Sequence, residues 1–220
     1  MRVDIWSDVI CPWCYVGKTR FEKALSAFER RDEVEVVFRS FELDPDSDAD
    51  GHQTVLQMLS EKYRMPMSEA EKAEERVGSL ARAEGLGYSS QRPVGNTFDL
   101  HRVLQLGGAK GVQHELLDSI YQAYFAEARQ IFDAPVLTEV ASAAGLAAGD
   151  VRNVLENRDK YAEAVNRDEQ EARQLGISGV PFFVFDMALG VSGAQATETF
   201  TSALNQALSR AEQADGDSDE

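Results

Sequence analysis

The sequence predicts an α/β protein in which a βαβ unit opens the chain, a ββα unit closes it, and a large all-helical insertion separates the two. Three observations predict it. Apolar residues alternate in "RVDIWSDVI" and "VEVVFRSFEL", the stretch between these runs has a helical period, and β character returns only after Gly176, in "ISGVPFFVFD". Nearly all of the intervening chain carries helical patterning.

In chain order, Val3, Ile5 and Val9 with Trp6 form the first strand. From Pro12 to about Arg30 the period turns helical, with Phe21, Leu25 and Phe28 at i, i+4 and i+7 on one face. Pro12 suits a first helical turn, where its missing N–H is no loss. "RRDE" reads as a turn, and Val34, Val36 and Phe38 alternate along the second strand. "DPDSDADG" breaks the pattern. Ser68 and Glu71 read as a capping box before a helix that stops at Gly85 and Gly87. "NTFDLHRVLQLG" and "VQHELLDSIYQAYFAEAR" read as two helices parted by "GGAKG", with Leu116, Ile120 and Tyr124 as the inner stripe of the second. "APVLTEVASAAGL" and "GDVRNVLENRDKYAEAVNRDEQEARQLG" complete the helical set. Pro181 then opens a strand, "LGVSGA" is its hairpin partner, and "TETFTSALNQALSRAEQ" a closing amphipathic helix. The expected division is a discontinuous domain of residues 1–48 plus 176–213, an insertion of 49–175, and a disordered acidic tail of 214–220.

The 220 residues carry 38 acidic against 22 basic side chains, a net charge of −16. A field of that sign repels nucleic acid and anionic membrane, so neither is an expected partner. No apolar run approaches the ~18 residues of a membrane-crossing helix. Asp4 and Asp8 interrupt the place where the apolar region of a signal peptide would lie, so the cytoplasm is the expected address.

Both cysteines of the chain, Cys11 and Cys14, fall in "SDVICPWCYVGK". A bridge closing so short a loop removes little chain entropy from the unfolded state, which makes a structural staple a poor explanation. The histidines are His52, His101 and His114, none spaced as a ligand pair with the cysteines, so no metal is expected. A redox pair remains, against the blander readings of inert buried thiols or a module whose thiols are vestigial. Cys11 stands at a strand-to-helix junction, where unpaired N–H groups favour a thiolate. It is the expected attacking sulfur; Cys14, one turn on, is the resolving one; Pro12 and Trp13 between them tune the pair and meet the substrate. In "SGVPFF", a cis Val180–Pro181 bond would leave the Val180 backbone open to pair with an incoming peptide beside Cys11.

These residues, with "NTFDLHR", "YFAEARQI" and "GISGVPFFVF" followed by "VSGAQ", resemble the DsbA-like branch of the thioredoxin superfamily. The resemblance is nearest to its FrnE-type group, related to 2-hydroxychromene-2-carboxylate isomerases and kappa-class glutathione transferases. It spans Ser7 to Gln195. It implies a thioredoxin fold with an all-helical insertion over the active-site helix, a redox dithiol at Cys11 and Cys14, and cis-Pro181 beside it. The isomerase and transferase relatives carry serine at the first cysteine position; Cys11 here points to thiol–disulfide exchange. The implied activity is that of a disulfide oxidoreductase or isomerase on protein or small disulfides, without a bound cofactor. Glutathione as co-substrate and a homodimer stay open. The alternatives are a glutathione-dependent isomerase or transferase on a small aromatic or polyketide-like substrate, and a chaperone-like binding module. For "NTFDLHR" two readings stand: Phe98, Val103 and Leu104 pack a core with His101 at its edge, or Asn96 and His101 face a cleft and touch substrate. Backbone N–H groups of "VSGAQ" could receive a glutathione or peptide carboxylate.

Overall fold

The computed structural model describes residues 1–48 and 53–216, with side chains to Gln213. The expected disorder of the tail falls on residues 214–220 and lies outside the described side chains.

Strand β1 (Arg2–Ser7) leads into helix α1 (Pro12–Ser26), and β2 (Glu35–Ser40) returns parallel to β1. Far along the chain, β5 (Phe182–Phe185) and β6 (Leu189–Ser192) form an antiparallel hairpin, and β5 pairs antiparallel with β1. The resulting four-stranded sheet has the order β2-β1-β5-β6, followed by the closing helix α9 (Thr197–Gly216). The α/β class and its interrupted order are therefore as the periodicities predict.

The sheet is buried on both faces, and the alternation along β1 assigns them. Val3 and Ile5, with Phe183 and Phe185 of β5, face α1 and α9. There Phe183 meets Phe21 of α1 and Phe200 of α9, with ring centroids at 5.4 and 4.5 Å. Each such buried ring contributes roughly 1.5–3 kcal/mol by removal from water. On the opposite face Trp6 and Val184 pack with Ala172 and Ile177. The cover is helix α8 (Ala162–Gln174). Trp6 Nε1 donates to the Asp168 carbonyl at 2.9 Å, and Arg39 bridges Asp4 at 2.7 Å and Asp168 at 2.9 Å. The boundary read from sequence assigns α8 to the insertion, and α8 packs both on the sheet and, through Gln105 with Asp168 at 2.6 Å, on the insertion helix that carries Gln105. The outer edge of β2 is blunted by a side chain: the Gln113 amide accepts from Phe38 N and donates to Phe38 O, both at 3.1 Å.

The remaining helices are α2 (Val55–Lys62), α3 (Met67–Ala83), α4 (Phe98–Lys110), α5 (Gln113–Tyr121), α6 (Ala134–Ala143) and α7 (Ala148–Glu156). A two-residue ladder between β3 (Gln53–Thr54) and β4 (Pro93–Val94) ties the start of α2 to the approach to α4. Three local expectations are corrected. Ser68 lies inside α3, whose N-cap is Pro66 without a side-chain bond; the capping box is Thr54 with Gln57 on α2. Gly107 and Gly108 stay helical, and α4 ends only at Gly111, left-handed at φ 73°. The long segment after residue 148 is two helices, because the chain turns at Tyr161, which has φ 60°. α5 continues into a π-helical turn over Gln122–Ala126, within which Ala123, Tyr124 and Phe125 are all buried.

Candidate active site

After β1 the chain makes a turn in which Cys11 N–H donates to the Asp8 carbonyl at 3.1 Å. Cys11 is the N-cap of α1, extended at φ −77° and ψ 115°, and Pro12 occupies the first helical position. Cys14 N–H closes the first turn onto the Cys11 carbonyl at 3.0 Å, which sets the two sulfurs one turn apart. Both thiols are free and buried, 3% and 2% exposed, whereas Trp13 between them is 41% exposed and forms the outward face of the motif. The Cys11 thiol donates to the Val180 carbonyl at 3.6 Å, and the Val180–Pro181 peptide is cis. A Cβ on Gly17 would stand 2.9 Å from the Pro181 ring and 3.3 Å from the Ala194 backbone, so glycine is what lets α1 lie this close to the strand-opening loop. Pro12, Trp13, Val180 and Pro181 thus gather around the two cysteines.

The surroundings of Cys14 oppose its ionisation. Burial pushes its thiol well above the ordinary range, and a hydrogen bond to Cys11 and the Cys11 charge push the same way. The Asp8 backbone N–H pulls it down, while the Asp8 carboxylate pushes it up. Asp8 is fully buried: Oδ2 accepts from Leu43 N at 2.8 Å, and Oδ1 has no hydrogen-bond partner among the described residues. His101, on α4, brings Nε2 to 3.4 Å from that oxygen. Tyr121, at the end of α5, is 1% exposed, and the hydrogen-bonding neighbour of its hydroxyl is Ser7.

His101 is itself 1% exposed, so its imidazole meets Asp8 and the charge of Glu42 rather than solvent. Asn96 is half-buried and bonded to its neighbours. Its amide donates to the Pro45 carbonyl at 2.9 Å and to Glu42 at 3.2 Å, and its Oδ1 accepts the Phe98 N–H at 2.9 Å at the head of α4. Burial of His101 agrees with the core reading of "NTFDLHR", whereas Asn96 is partly exposed and held by the loop that carries Glu42 and Pro45. His52 lies outside the described residues. Among the described residues no group of three or more His, Cys, Asp or Glu could hold a metal ion, and no helix is long and apolar enough to cross a membrane.

Half-buried Glu42 is pushed up to about 7, mainly by burial, with His101 opposing and Glu169 and Asp8 reinforcing. Its folded value lies above the ordinary 4.5, so the stability it contributes is full below about 4.5 and is lost as pH rises through about 7. Glu42→Gln should therefore match the wild type near pH 5 and exceed it near pH 8 by about 1 kcal/mol after allowance for solvent screening. That is a rise of about 3 °C in Tm. Equal melting temperatures at both pH values would refute the assignment.

Asp8, Glu42 and Tyr121 are site residues that reading the sequence missed. Asp8 left one signal, a charge inside an apolar approach to the cysteines. Tyr121 left none, because its neighbours make it look like one more core aromatic.

A sheet of this order, with a dithiol heading its first helix and a proline opening the strand opposite, defines a thioredoxin-fold protein. The chain belongs to the DSBA-like thioredoxin domain family, whose model matches residues 2–205. It is 55% identical to a probable DsbA oxidoreductase of Streptomyces coelicolor, with a TM-score of 0.91 over 95% of this chain and 90% of that one. It shares its fold with a cytosolic disulfide reductase, DsbM, of Pseudomonas aeruginosa, solved with glutathione: 16% identity, TM-score 0.65, 94% of this chain and 99% of the other. It shares it also with a 2-hydroxychromene-2-carboxylate isomerase: 14% identity, TM-score 0.70, 99% and 98% coverage. The family is one of oxidoreductases, and the site must be read within it.

Proposed function

We propose that the protein is a thiol–disulfide oxidoreductase or disulfide isomerase that works through a mixed disulfide on Cys11. The observation that carries this reading is the placement of Cys11 at the N-cap of α1, against the Val180 carbonyl, with Cys14 buried one helical turn on. The N–H groups of the first turn point toward the N-cap and favour negative charge there. Cys11 attacks one sulfur of a client disulfide and the other leaves as a thiolate; Cys14 then attacks Cys11, releasing the client reduced and leaving the Cys11–Cys14 bridge. Isomerisation follows when the released client thiolate attacks Cys11 before Cys14 does. Clients are proteins or small disulfides, and Trp13 is the exposed ring they meet first. The dithiol is the redox group, with glutathione as the candidate reductant that resets it. In the reducing cytoplasm, the compartment of this proposal, the pair rests reduced and favours reduction and isomerisation over net oxidation.

Cys14→Ala tests the reading by leaving the attack intact and blocking its resolution. Expressed in cells, this variant should accumulate adducts on Cys11, and mass spectrometry should identify them as client proteins or glutathione. An unmodified Cys11 under mild oxidative load would rule the mechanism out.

A further inference from the structure

Two buried polar atoms beside the cysteine motif lack a hydrogen-bond partner among the described residues and face each other. Asp8 Oδ1 lies in the turn between β1 and α1, His101 Nε2 lies on α4 of the helical insertion, and 3.4 Å separates them. Both side chains are enclosed, so neither atom can turn to solvent for a partner. The gap is longer than the roughly 2.8 Å of a charge-assisted hydrogen bond, yet this contact is the one that can satisfy both atoms. Asp8 is otherwise held twice. Its Oδ2 accepts from Leu43 N–H at 2.8 Å, and its carbonyl accepts from Cys11 N–H at 3.1 Å. Whatever fixes the Asp8 side chain therefore fixes the turn that delivers Cys11 to the N-cap of α1.

We propose that His101 is a positioning residue of the exchange reaction: its Nε2–H holds the Asp8 carboxylate, and through it the turn that presents the Cys11 sulfur. The inference rests on the exchange reaction proposed above and assigns a residue to its first half. In that step the Cys11 thiol has given its proton to solvent and its sulfur bonds to one client sulfur. The client S–S bond breaks, and the other client sulfur leaves with the electron pair. His101 takes no part in these bonds. It compensates a carboxylate that would otherwise stand unpaired in the turn where the thiolate forms. The other titratable groups around the pair come from several elements. Glu42, beyond β2, acts on His101, and its N–H is bonded to Glu169 of α8 at 3.2 Å. Cys11, Cys14 and Tyr121 lie on the Asp8 side. Among these groups His101 is the one that can carry positive charge, so its removal leaves only groups of like sign facing the nascent thiolate.

Cys14→Ala leaves Cys11 as the sole thiol of the chain. The rate at which iodoacetamide alkylates this full-length protein, followed by mass spectrometry across pH, therefore reads the Cys11 thiolate alone. In this background His101→Leu should raise the midpoint of the profile by about half to one pH unit and slow alkylation at pH 7 by about 3- to 10-fold. His101→Gln, whose amide N–H reaches nearly the same point as Nε2–H, should recover about half of the lost rate or more. A role in packing alone would lower the melting temperature and leave the midpoint in place. Once Asp8→Asn has removed the carboxylate, adding His101→Leu should move the midpoint by less than about 0.2 pH unit. An unchanged midpoint in His101→Leu would overturn the assignment, as would an equal shift with and without the Asp8 carboxylate, or no rescue by glutamine. If His101→Leu strands the carboxylate and fails to fold, Asp8→Asn/His101→Leu should fold and match Asp8→Asn, and a difference between those two refutes the proposal. A Cys11 inert at every pH in the parent Cys14→Ala protein would instead overturn the exchange reaction itself.

Discussion

Cys11→Ser should abolish reduction of insulin disulfides, by about a thousandfold or more, while leaving the fold intact. The argument is electronic. A serine hydroxyl at the N-cap of α1 receives the same N–H groups as the thiol, but it ionises far less readily and cannot form a disulfide. Serine is smaller than cysteine and caps helices well, so a compensating loss of structure is not expected. The same variant separates the other readings of this site. A glutathione-dependent isomerase would keep its affinity for glutathione and its turnover with serine in that place. A chaperone-like module would still suppress aggregation of an unfolded client. Insulin reduction at the wild-type rate in Cys11→Ser would end the proposal of nucleophilic exchange at this position.

The second large effect is on stability and comes from a residue far from the sulfurs. Arg102 on α4 is fully buried, and its guanidinium collects the carbonyls of Val154 at 2.6 Å, Asn157 at 2.9 Å and Lys160 at 3.1 Å while pairing with Asp99 at 2.8 Å. Those carbonyls lie at and beyond the end of α7, where a helix has no partners of its own. Arg102→Leu should cost about 4 kcal/mol, because it leaves these acceptors unsatisfied and only Asp99, which is half exposed, can return to water. In a chain of this size the loss corresponds to about 10 °C in Tm. Denaturant unfolding that shows a loss below about 1 kcal/mol would contradict the account. Asp99→Ala, which removes only the exposed partner, should cost less than about 1 kcal/mol.

The two cases divide what could and could not be read from the chain. Cys11, Cys14 and Pro12 were legible because their chemistry is local: spacing sets the turn, and proline sets where the helix starts. Val3, Ile5, Val36 and Phe38 were legible because alternation records which face of a strand is buried. Arg102 was not, since an arginine inside an apolar helical stripe looks the same whether it reaches solvent or collects three carbonyls more than 50 residues away. The break at Tyr161 was hidden for a related reason: polar helical residues on either side continue the same period across it. Ser68 and Glu71 had the capping spacing, yet Pro66 starts the helix earlier and leaves them inside it.

By itself the sequence determined the α/β class, the interruption by helices, the dithiol at a helix start and a proline opening a late strand. These follow from backbone preferences and periodicities that act over a few residues. Only the tertiary structure decided that His101 faces Asp8 in the interior, that α8 packs on the sheet as well as on α4, and that Arg102 collects the carbonyls at the end of α7. Each of these depends on which polar atoms are enclosed together, and enclosure is a property of segments packed from distant parts of the chain.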